Sequence, residues 1–441
     1  MRPISALLLV CGLVLACGLA ACGTAPDTER PRVSTAATSA DSPATGLPAT
    51  DLPAVLPDSP ASDELVLPSL RVLDTVRTLD YAVRVEVLTD GVSRPWAFAF
   101  LDGRTALVTE QDGALRVLRD GVLQPNPVAG IPEVRARGQG GLLDVTPDPD
   151  YATNGWVYLA YSHPHPERRG PAMTRVVRGQ LSGADWNALQ WTNEEVVWEA
   201  PLATYRDTDF HYGTRIVFDR DGFLYFAIGD RGVQDDAQRL NLPNGKTYRL
   251  RPDGTVPADN PFADDAAAIP GIYTYGNRNP QGLTVDPLTG AVWSVEHGPR
   301  GGDELNRIDA GVNYGWPTIT YGINYNGTVL SERRRAEGMQ QPVFFWRPSI
   351  AVAGSEFYTG TLFERWTNQL LVTALAYQEV RLLTLERDDA LGDRVLHDEV
   401  ILKNMGRVRE VVNGPDGAIY VVANGPDRIL RLSPDGGWNP Q

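Results

Sequence analysis

The sequence has no cysteine after residue 22, since its three cysteines are Cys11, Cys17 and Cys22. The rest of the chain therefore forms no disulfide bond and offers no thiol for nucleophilic or redox chemistry. Its stability must come from the burial of apolar side chains. With 42% hydrophobic and 22% charged residues, the 441-residue chain has a globular composition, and its length allows one large domain or two to three ordinary ones.

Several motifs that mark common enzyme classes are also missing after the N-terminal segment. The chain contains no Gly-x-Ser-x-Gly elbow, no His-Glu-x-x-His helix and no glycine-rich strand-to-helix turn for phosphate or dinucleotide. A serine hydrolase, a zinc peptidase and an NAD-dependent enzyme therefore lack support. The formal net charge of -15 argues against nucleic acid as a partner, because no basic field is present to attract phosphates.

The first 22 residues have the features of an export signal. Arg2 provides a positive charge, residues 4–21 are apolar, and Leu-Ala-Ala-Cys at residues 19–22 has the form of a bacterial lipobox. We predict a lipoprotein signal peptide over residues 1–22. The lipid on Cys22 would then anchor the exported protein to the membrane of a bacterial cell envelope, on its periplasmic or extracellular face.

Other interpretations of the N-terminus stay open. A poorer competing lipobox ends at Cys17. A simple secretory signal or a membrane anchor is a further alternative, since about eighteen apolar residues can just span a bilayer.

Residues 23–75 are rich in Ala, Pro, Ser, Thr and Asp and poor in aromatic residues. Such a composition cannot bury a core, so we predict a disordered, semi-extended tether that holds a soluble domain away from the membrane. The domain itself is predicted to occupy residues 76–441.

One unit recurs along this domain: a turn followed by a short strand with alternating apolar residues. Asp-Gly and Asn-Gly turns followed by such alternation are strong hairpin signals. The spacing of about sixty residues is enough for a four-stranded blade with long loops. The six turns lie at residues 102–103, 154–155, 221–222, 289–290, 368–369 and 416–417.

These units predict an all-β fold, a six-bladed β-propeller of four-stranded antiparallel blades. Residues 81–88 alternate Val83, Val85 and Val87, and we expect this strand to complete the last blade and close the ring. The long loops of a propeller gather at one mouth, where residues distant in sequence converge. A two-domain β-sandwich is the alternative fold.

Histidines are the candidates for acid–base chemistry. His211 stands at the end of a loop that leads into a predicted inner strand, at the mouth. Imidazole suits proton abstraction because its pKa lies near working pH, although a histidine that caps a strand is commonly structural. His163 and His165 indicate a surface loop, with a weak metal pair as the alternative, and His397 indicates an exposed strand position.

Arginines could bind an anion at the same mouth. Arg278 lies among several hydrogen-bonding side chains at residues 277–281 and provides a planar fork for a carboxylate or quinone oxygen. Arg407 and Arg409 share one face of a predicted strand, because side chains alternate along it. Two guanidinium groups on one face of an acidic protein imply an anionic ligand. Surface pairing with Asp or Glu is the ordinary alternative for a lone arginine.

The segment VEHGPRGGDELN, residues 295–306, shows bare backbone beside two carboxylates. Its three glycines and one proline leave the carbonyls and amides of the loop open to a partner. Carbonyls at Gly298 and Pro299 together with the carboxylate of Glu304 make an oxygen-rich, hard site. Such a site suits Ca²⁺, although the spacing is not that of an EF-hand.

Five long segments, in the same order, resemble the soluble aldose sugar (glucose/sorbosone-type) dehydrogenases that depend on pyrroloquinoline quinone (PQQ). The resemblance implies a six-bladed propeller that oxidises the C1 hydroxyl of aldoses to lactones and passes hydride to C5 of PQQ. It implies PQQ and Ca²⁺ as cofactors, and an aldose and an external electron acceptor as partners. The preferred sugar, the acceptor and the choice between monomer and homodimer stay open. The segments are residues 138–162, 211–232, 275–283, 296–317 and 407–417.

The resemblance also implies roles for individual residues. His211 would be the general base that takes the proton of the anomeric hydroxyl, and Gln139 would help to orient the sugar. Arg278 and Asn279 would contact the quinone oxygens, with Arg278 polarising the accepting carbonyl. The other implied contacts are Arg407 and Arg409 beside the cofactor carboxylates, Trp346 at the mouth, the Gly298 and Pro299 carbonyls on a cofactor-bound Ca²⁺, and Glu304 with the Tyr314 carbonyl on a second, structural Ca²⁺.

Two positions depart from the family pattern. Ala376 stands where the family usually has a cofactor-contacting lysine. The loss of that cation could weaken PQQ binding, alter the electronics of PQQ, or mean that the cofactor is held differently. Phe210 stands where the glucose enzymes have an aspartate before the base, which weakens any claim to glucose as the preferred sugar. Two other functions compete with the dehydrogenase. One is a calcium-dependent lactonase-type propeller hydrolase, with metal-binding Asp, Glu and Asn side chains on the axis, and the other is a non-catalytic binding propeller.

Overall fold

The structure is a computed structural model that describes residues 64–388 and 390–436. The predicted signal peptide, residues 1–22, and the predicted tether up to residue 63 lie outside the described residues. Inside them, no helix has the length and the mean hydropathy required to cross a bilayer.

In this part of the chain, 25 strands form six antiparallel sheets arranged as the blades of a propeller. The predicted all-β, six-bladed fold is therefore confirmed. Two strands precede the first blade, β1 (Arg71–Arg77) and β2 (Ala82–Thr89).

Blades 1 to 5 are four-stranded meanders that follow chain order. Blade 1 contains β3 (Pro95–Phe100), β4 (Thr105–Glu110), β5 (Leu115–Arg119) and β6 (Val122–Leu123). Blade 2 contains β7 (Leu142–Pro147), β8 (Trp156–Pro164), β9 (Ala172–Gly183) and β10 (Leu189–Trp198). Blade 3 contains β11 (Ile216–Phe218), β12 (Leu224–Ile228), β13 (Lys246–Leu250) and β14 (Ile272–Tyr275). Blade 4 contains β15 (Pro280–Val285), β16 (Val292–Glu296), β17 (Asp303–Ile308) and β18 (Phe344–Trp346). Blade 5 contains β19 (Val352–Phe357), β20 (Leu370–Ala374), β21 (Glu379–Glu386) and β22 (Arg394–Lys403).

Blade 6 joins the two ends of the chain. Its C-terminal strands are β23 (Arg407–Asn413), β24 (Ile419–Asn424) and β25 (Arg428–Pro434). The fourth strand is β2, which pairs with β25 and places Val85 opposite Leu432. The prediction that residues 81–88 complete the last blade is therefore confirmed.

The strand β1 lies outside β2 and gives blade 6 a fifth strand. The predicted tether, residues 23–75, is therefore wrong at its end, because residues 71–75 belong to β1. The physical reason is that Leu73 and Val76 pack against the apolar cluster of blade 6. The segment is held by this contact, by the backbone pairing of β1 with β2, and by Leu65, Leu67 and Leu70, which pack against a second apolar cluster.

Each of the six predicted turns connects the first and second strands of a blade. In blade 3, the Asp219 carboxylate accepts the backbone N–H groups of Asp221 at 3.0 Å and Phe223 at 2.9 Å. Gly222 takes φ +78° in this turn, a conformation that favours glycine. Helical structure in the described residues is confined to short segments in loops: α1 (Tyr151–Asn154) and the 3-10 turns Leu202–Thr204, Gln234–Gln238 and Glu364–Trp366.

The topology gathers one set of loops at a single mouth. The first strand of each blade is innermost and packs against the inner strands of its neighbours around the axis. Because all blades have the same meander order, the loops that enter the inner strands lie at the same end of the ring. Gln139, His211, Arg278 and Arg407 all belong to these loops or to the first residue after them.

The axis beyond the mouth contains an ionic network. Arg215, buried just before β11, pairs with Asp144 and with Glu410 at 3.3 Å each. Its guanidinium also donates to the carbonyls of Trp96 at 3.3 Å and Arg409 at 3.2 Å. Two acidic side chains near the axis, Asp144 and Glu410, are thus paired with a guanidinium.

Candidate active site

His211 occupies the last loop before β11, at the mouth. Its Nδ1 lies 2.6 Å from Oδ1 of Asp230, and its backbone N–H donates to Oε1 of Gln139 at 2.8 Å. The backbone of His211 has φ +59°, in the left-handed region that a non-glycine residue adopts only when its surroundings hold it there. The side chain is 13% exposed, so the imidazole is packed in place and still reached by solvent.

Asp230, at the end of the β12 segment, is buried and fully hydrogen-bonded. Its Oδ1 also accepts the backbone N–H of Gly232, and its Oδ2 accepts the indole N–H of Trp316, both at 2.8 Å. Burial raises the pKa of Asp230, but its bond to His211 and the other donors outweigh burial and hold the pKa below its usual value. An ionised Asp230 keeps a proton on Nδ1 of His211, which leaves Nε2 as the proton acceptor.

The imidazole of His211 is in the state required of a base. Burial lowers its pKa below the usual value, the bond to Asp230 opposes this shift, and the positive charge of Arg278 reinforces it. The net effect favours a neutral ring at neutral pH, and only a neutral ring can accept a proton.

Arg278 and Asn279 stand directly before β15 and lie beside this base. The Arg278 Nη1 donates to the carbonyl of His297 at 2.9 Å, and its guanidinium carbon lies 5.3 Å from the Trp316 ring. The Arg278 Nε and the Asn279 Nδ2 are buried and have no hydrogen-bond partner among the described residues. Two buried donors without acceptors indicate that a ligand with acceptor oxygens belongs here.

Arg407 and Arg409 stand at the start of β23. The guanidinium of Arg409 stacks 3.8 Å from the Trp96 ring, and its Nε donates to Asn424 at 2.8 Å. Burial and the neighbouring charge of Arg407 lower the pKa of Arg409 to about 9. Neither arginine forms an ion pair with a carboxylate among the described residues, so their positive charges are free for an anionic ligand.

His297 shows that these cations converge from different blades. Burial lowers its pKa to about 3, and the charges of Arg278 and Arg409 contribute to the shift. Its Nε2 is another buried atom with no partner in the described part of the chain. Its backbone N–H donates to the Asn279 carbonyl at 3.1 Å, which fixes the start of the loop after β16 beside the base.

Asp303 holds the loop from His297 to Gly302. In the sequence analysis it was only one of two adjacent acids, with no assigned role. The Asp303 Oδ1 accepts the N–H of Gly298 at 2.9 Å, and its Oδ2 accepts the N–H of Ala351 at 2.7 Å. A side chain at Gly298 would clash with the Gly302 carbonyl, so glycine is required there. Asp303 is therefore structural: it shapes the loop whose carbonyls at Gly298 and Pro299 are the predicted metal ligands.

Glu304 faces a small cavity beside this loop, together with Glu296 and Tyr314. Glu296 and Glu304 are directly opposite on β16 and β17. Burial raises the pKa of Glu296 to about 7, and burial and the charge of Glu296 raise that of Glu304 well above its usual value. Asn306 contributes a buried Oδ1 without a partner among the described residues. Two carboxylates and a spare amide oxygen form a donor set that a hard cation would satisfy.

Glu296 is the site residue that sequence reasoning missed. It is the first residue of one quoted segment, but its role depends on the register that sets it against Glu304. The hairpin pattern at residues 296–304 could have indicated this role, because pairing of the two strands brings the carboxylates of Glu296 and Glu304 to one face.

Trp346 is the predicted site residue that the structure places elsewhere. It ends β18, the outer strand of blade 4, and its indole packs in the core with Trp293 and Leu383 and donates to Asp398 at 3.2 Å. It does not join the cluster around Arg278. The aromatic rings at the site belong to Trp316 and Trp96 instead.

Three histidines lie outside the cluster: His163, His165 and His397. Of the two departures, Phe210 lies beside the base, with its ring centroid 5.0 Å from that of His211. Both ring nitrogens of His163 are engaged, by the Tyr205 hydroxyl at 2.7 Å and by Arg175 at 3.1 Å. His163 lies in β8 and His165 is buried, so the interpretation of the pair as a surface loop is wrong for both. His397 is exposed on β22, as predicted, and Ala376 is exposed in the turn after β20. No group of three or more His, Cys, Asp or Glu side chains in the described residues is arranged to hold a metal ion.

The fold and the site define a six-bladed β-propeller with a histidine–aspartate pair and a cluster of arginines at its mouth. The family model for glucose/sorbosone dehydrogenase matches residues 92–431, and the chain belongs to this family. The sequence is 40% identical over 358 residues to the aldose sugar dehydrogenase YliI of Escherichia coli K12, covering 80% of this chain and 93% of that protein.

Two solved structures show the same architecture. The apo form of the soluble aldose sugar dehydrogenase from Escherichia coli superposes with a TM-score of 0.74 at 39% identity, covering 80% of this chain and 100% of that one. The PQQ-bound form of the aldose sugar dehydrogenase from Streptomyces coelicolor gives 0.62 at 25% identity, covering 83% and 98%. The resemblance inferred from the sequence is therefore confirmed at the level of the family.

Proposed function

We propose that this protein oxidises the C1 hydroxyl of aldose sugars to lactones, with PQQ and Ca²⁺ as cofactors. One observation carries the proposal: the Asp230-bound imidazole of His211 lies among arginines that have no carboxylate partner. A positioned base and an unneutralised cationic cluster are the two parts required to take a proton from a hydroxyl beside an anionic quinone.

The base works through its neutral ring. Nε2 of His211 would take the proton of the anomeric hydroxyl, while Asp230 holds the Nδ1 proton and stabilises the imidazolium that results. Gln139 accepts the backbone N–H of His211 and so supports the loop that carries the base. Its position next to the base also suits the predicted role of orienting the sugar.

The residues present fit PQQ. Bound there, PQQ would accept the hydride from C1 at its C5 carbon. Arg278 and Asn279 would donate to the quinone oxygens, which gives partners to two buried donors that lack them. Arg407 and Arg409 would neutralise the carboxylates of the cofactor. Ala376 supplies no cation, so in this chain the cofactor would depend on these arginines alone.

The residues also fit calcium at two places. The Gly298 and Pro299 carbonyls would hold the ion beside the cofactor, on a loop shaped by Asp303. Glu304 and the Tyr314 carbonyl would hold the second ion, and we add Glu296 to that set because its carboxylate lines the same cavity. A divalent ion would neutralise the two adjacent acids.

A dye-reduction assay tests the proposal. Purified protein reconstituted with PQQ and Ca²⁺ should reduce an artificial neutral dye when aldoses are supplied. We expect His211→Gln to bind PQQ, seen by cofactor absorbance, but to lose turnover by about 10²–10⁴-fold. Intact PQQ binding without turnover on a broad sugar panel would favour the binding propeller, and lactone hydrolysis without PQQ would favour the hydrolase.

We further propose that the protein is exported and anchored to the cell envelope through a lipid on Cys22, with the segment after it as a tether. The lipobox at residues 19–22 supports this. In a bacterial host, the wild-type protein should sediment with membranes, whereas Cys22→Ser should appear in the soluble fraction. Equal partitioning of both would contradict the anchor.

A further inference from the structure

Five exposed arginines lie in blade 4, in the loop after Pro299, in the connection between β17 and β18 and just after β18, and the proposed chemistry does not use them. We call them the arginine patch: Arg300, Arg333, Arg334, Arg335 and Arg347. No ion pair or side-chain hydrogen bond of these five is found within the described residues. In the same chain, exposed arginines elsewhere, such as Arg71 and Arg365, pair with carboxylates.

The patch carries positive charge on a protein whose formal net charge is -15. The run Arg333–Arg335 is flanked by two exposed acids, Glu332 and Glu337. Five arginines against two carboxylates leave an excess of three positive charges (5 − 2). Unpaired arginines in an acidic protein create a local field of opposite sign to the molecule as a whole.

The patch lies on the rim of the mouth. Arg300 directly follows Pro299, a predicted calcium ligand, and its backbone pairs with Ile323 through two hydrogen bonds of 2.9 and 3.1 Å. Arg347 approaches the same loop, with its Cγ 3.5 Å from the position of a Cβ on Gly301. The carbonyl of Arg333 accepts the N–H of Thr320, which lines the cavity of Glu304.

Aromatic surface accompanies the charge. Tyr321 and Phe345 stack with ring centroids 3.9 Å apart, and Phe345 is 38% exposed. Tyr325 is 72% exposed and Val329 is 64% exposed on the same connection between β17 and β18. This connection, residues 309–343, has no helix or strand, and structureless connections of such length are usually functional. Arginine and aromatic side chains are the residues enriched in protein–protein interfaces.

The proposed reaction requires an electron acceptor that the chain does not contain. Oxidation of one aldose to its lactone releases two electrons and two protons, so two one-electron transfers must follow each turnover while the protons pass to solvent. We propose that the arginine patch docks an acidic one-electron carrier protein beside the cofactor. The location on the rim supports this, because a carrier seated there is adjacent to the loop that holds the predicted cofactor-bound calcium.

The inference rests on the proposed function. Its test compares two electron carriers of opposite net charge. The holoprotein would be supplied with aldose and either plastocyanin as an acidic carrier or a basic cytochrome c. We expect the second-order rate constant for plastocyanin to fall with rising ionic strength, as for oppositely charged partners. The basic carrier should show the reverse dependence or none.

Two charge-reversal variants distinguish the effect of the patch on the rate constant from the effect of net charge. Arg334→Glu/Arg335→Glu should lower the plastocyanin rate constant by about tenfold or more at low ionic strength. Arg168→Glu/Arg169→Glu changes the net charge equally on exposed residues of blade 2 and should leave the rate constant near that of wild type. Turnover with a neutral dye should be the same in all three proteins.

Direct binding gives a readout that does not depend on turnover. Plastocyanin should bind the wild-type protein, with or without PQQ, more tightly than it binds the patch variant. Equal rate constants and equal binding for the two variants would overturn the inference. Loss of binding to anionic lipid vesicles in the patch variant alone, with an unchanged plastocyanin rate, would also overturn it and assign the patch to lipid. Absence of dye turnover in the wild type would instead count against the proposed function.

Discussion

The guanidinium carbon of Arg231 lies 3.4 Å from the ring centroid of Tyr212, and the same guanidinium donates to the backbone carbonyls of Phe210 and of Thr208, the latter at 2.9 Å. Both chain neighbours of His211 are thereby held by one buried cation. Arg231 contacts neither the imidazole nor the mouth in these bonds. It is a positioning residue that maintains the strained backbone of His211.

Loss of Arg231 should therefore impair turnover more than cofactor binding. We expect Arg231→Met to lower kcat by about 10²-fold, because a shift of about 1 Å in a catalytic group has an effect of that size. The side chain of Arg137 is 61% exposed and bonds the same loop through Asp209, so Arg137→Ala is the matched control and should retain nearly full kcat. Steady-state kinetics and PQQ titration on the same preparations make the comparison.

The milder Arg231→Lys separates positioning from folding. Lysine keeps the charge but supplies a single nitrogen for several carbonyls, so we expect partial recovery of kcat and of the melting temperature relative to Arg231→Met. A variant with a normal melting temperature and normal kcat would show that the guanidinium does not position the base.

Asp230→Asn should change the pH profile as well as the rate. Burial holds the pKa of His211 below its usual value, and the bond to Asp230 acts in the opposite direction. Removal of the carboxylate charge should therefore lower the pKa further and move the acid limb of kcat/KM to lower pH. Without the carboxylate, the proton of His211 would no longer be held on Nδ1. We therefore also expect kcat to fall by about 10²–10⁴-fold. An acid limb that stays in place would refute this role for Asp230.

Calcium should stabilise the wild-type protein through Glu304. A ligand present at about 100 times its Kd stabilises the folded state by about 2.7 kcal/mol, and chelation removes that contribution. We expect the melting temperature of Glu304→Gln, measured without PQQ, to respond far less to calcium or to chelator at the same concentrations, because only the predicted ion beside the cofactor site is left. The exposed Glu337, on the same blade, gives the control Glu337→Gln, which should respond as the wild type does. A full calcium response in Glu304→Gln would place the stabilising ion elsewhere.

Glu356, on the inner strand β19, should make stability depend on pH. Burial raises its pKa to about 7, while Asn413 donates to it at 2.8 Å and no cation pairs with it among the described residues. The folded state thus holds a proton that the unfolded state releases near pH 4.5. This contribution to stability is complete below about pH 4.5 and is lost as the pH rises through 7.

The isosteric Glu356→Gln should remove that dependence. Glutamine keeps an acceptor for Asn413 and carries no charge, so above pH 7 we expect the variant to be more stable than the wild type. Urea unfolding over a range of pH, with the exposed Glu364→Gln as control, measures the difference. Parallel curves for wild type and Glu356→Gln would contradict the assignment.

The sequence predicted the fold because the same turn recurs once per blade. Each Asp-Gly or related turn is a local signal, and six signals at a regular spacing leave few architectures that close on themselves. The strand at residues 81–88 was also predicted, since an unpaired alternating strand at one end needs a partner at the other. The start of the domain was misjudged because the composition was averaged over residues 23–75. This average hid the apolar segment at its end, where Leu65, Leu67 and Leu70 also pack against the core.

The site was predicted in part, for a similar reason. Residues that act through their own local context, such as His211 before an inner strand or Gly298 in a bare loop, have signals in the sequence. Glu296 acts only through its cross-strand register, which a linear pattern does not show. The prediction that Trp346 lines the mouth did not account for its strand. Side chains alternate between two faces along the short outer strand β18, and the indole of Trp346 lies on the face that packs in the core.

The pairing of β2 with β25 has a consequence for the order of assembly. A chain synthesised from its N-terminus produces β2 long before residues 428–434. The pairing of β2 with β25 can therefore form only when synthesis of the chain is almost complete. Until then β2 and β24 both present unpaired edges, and no partial chain can close blade 6. Truncation ahead of Arg428 would leave a strand at each end without its neighbour, so even a short deletion at the C-terminus acts on the start of the domain.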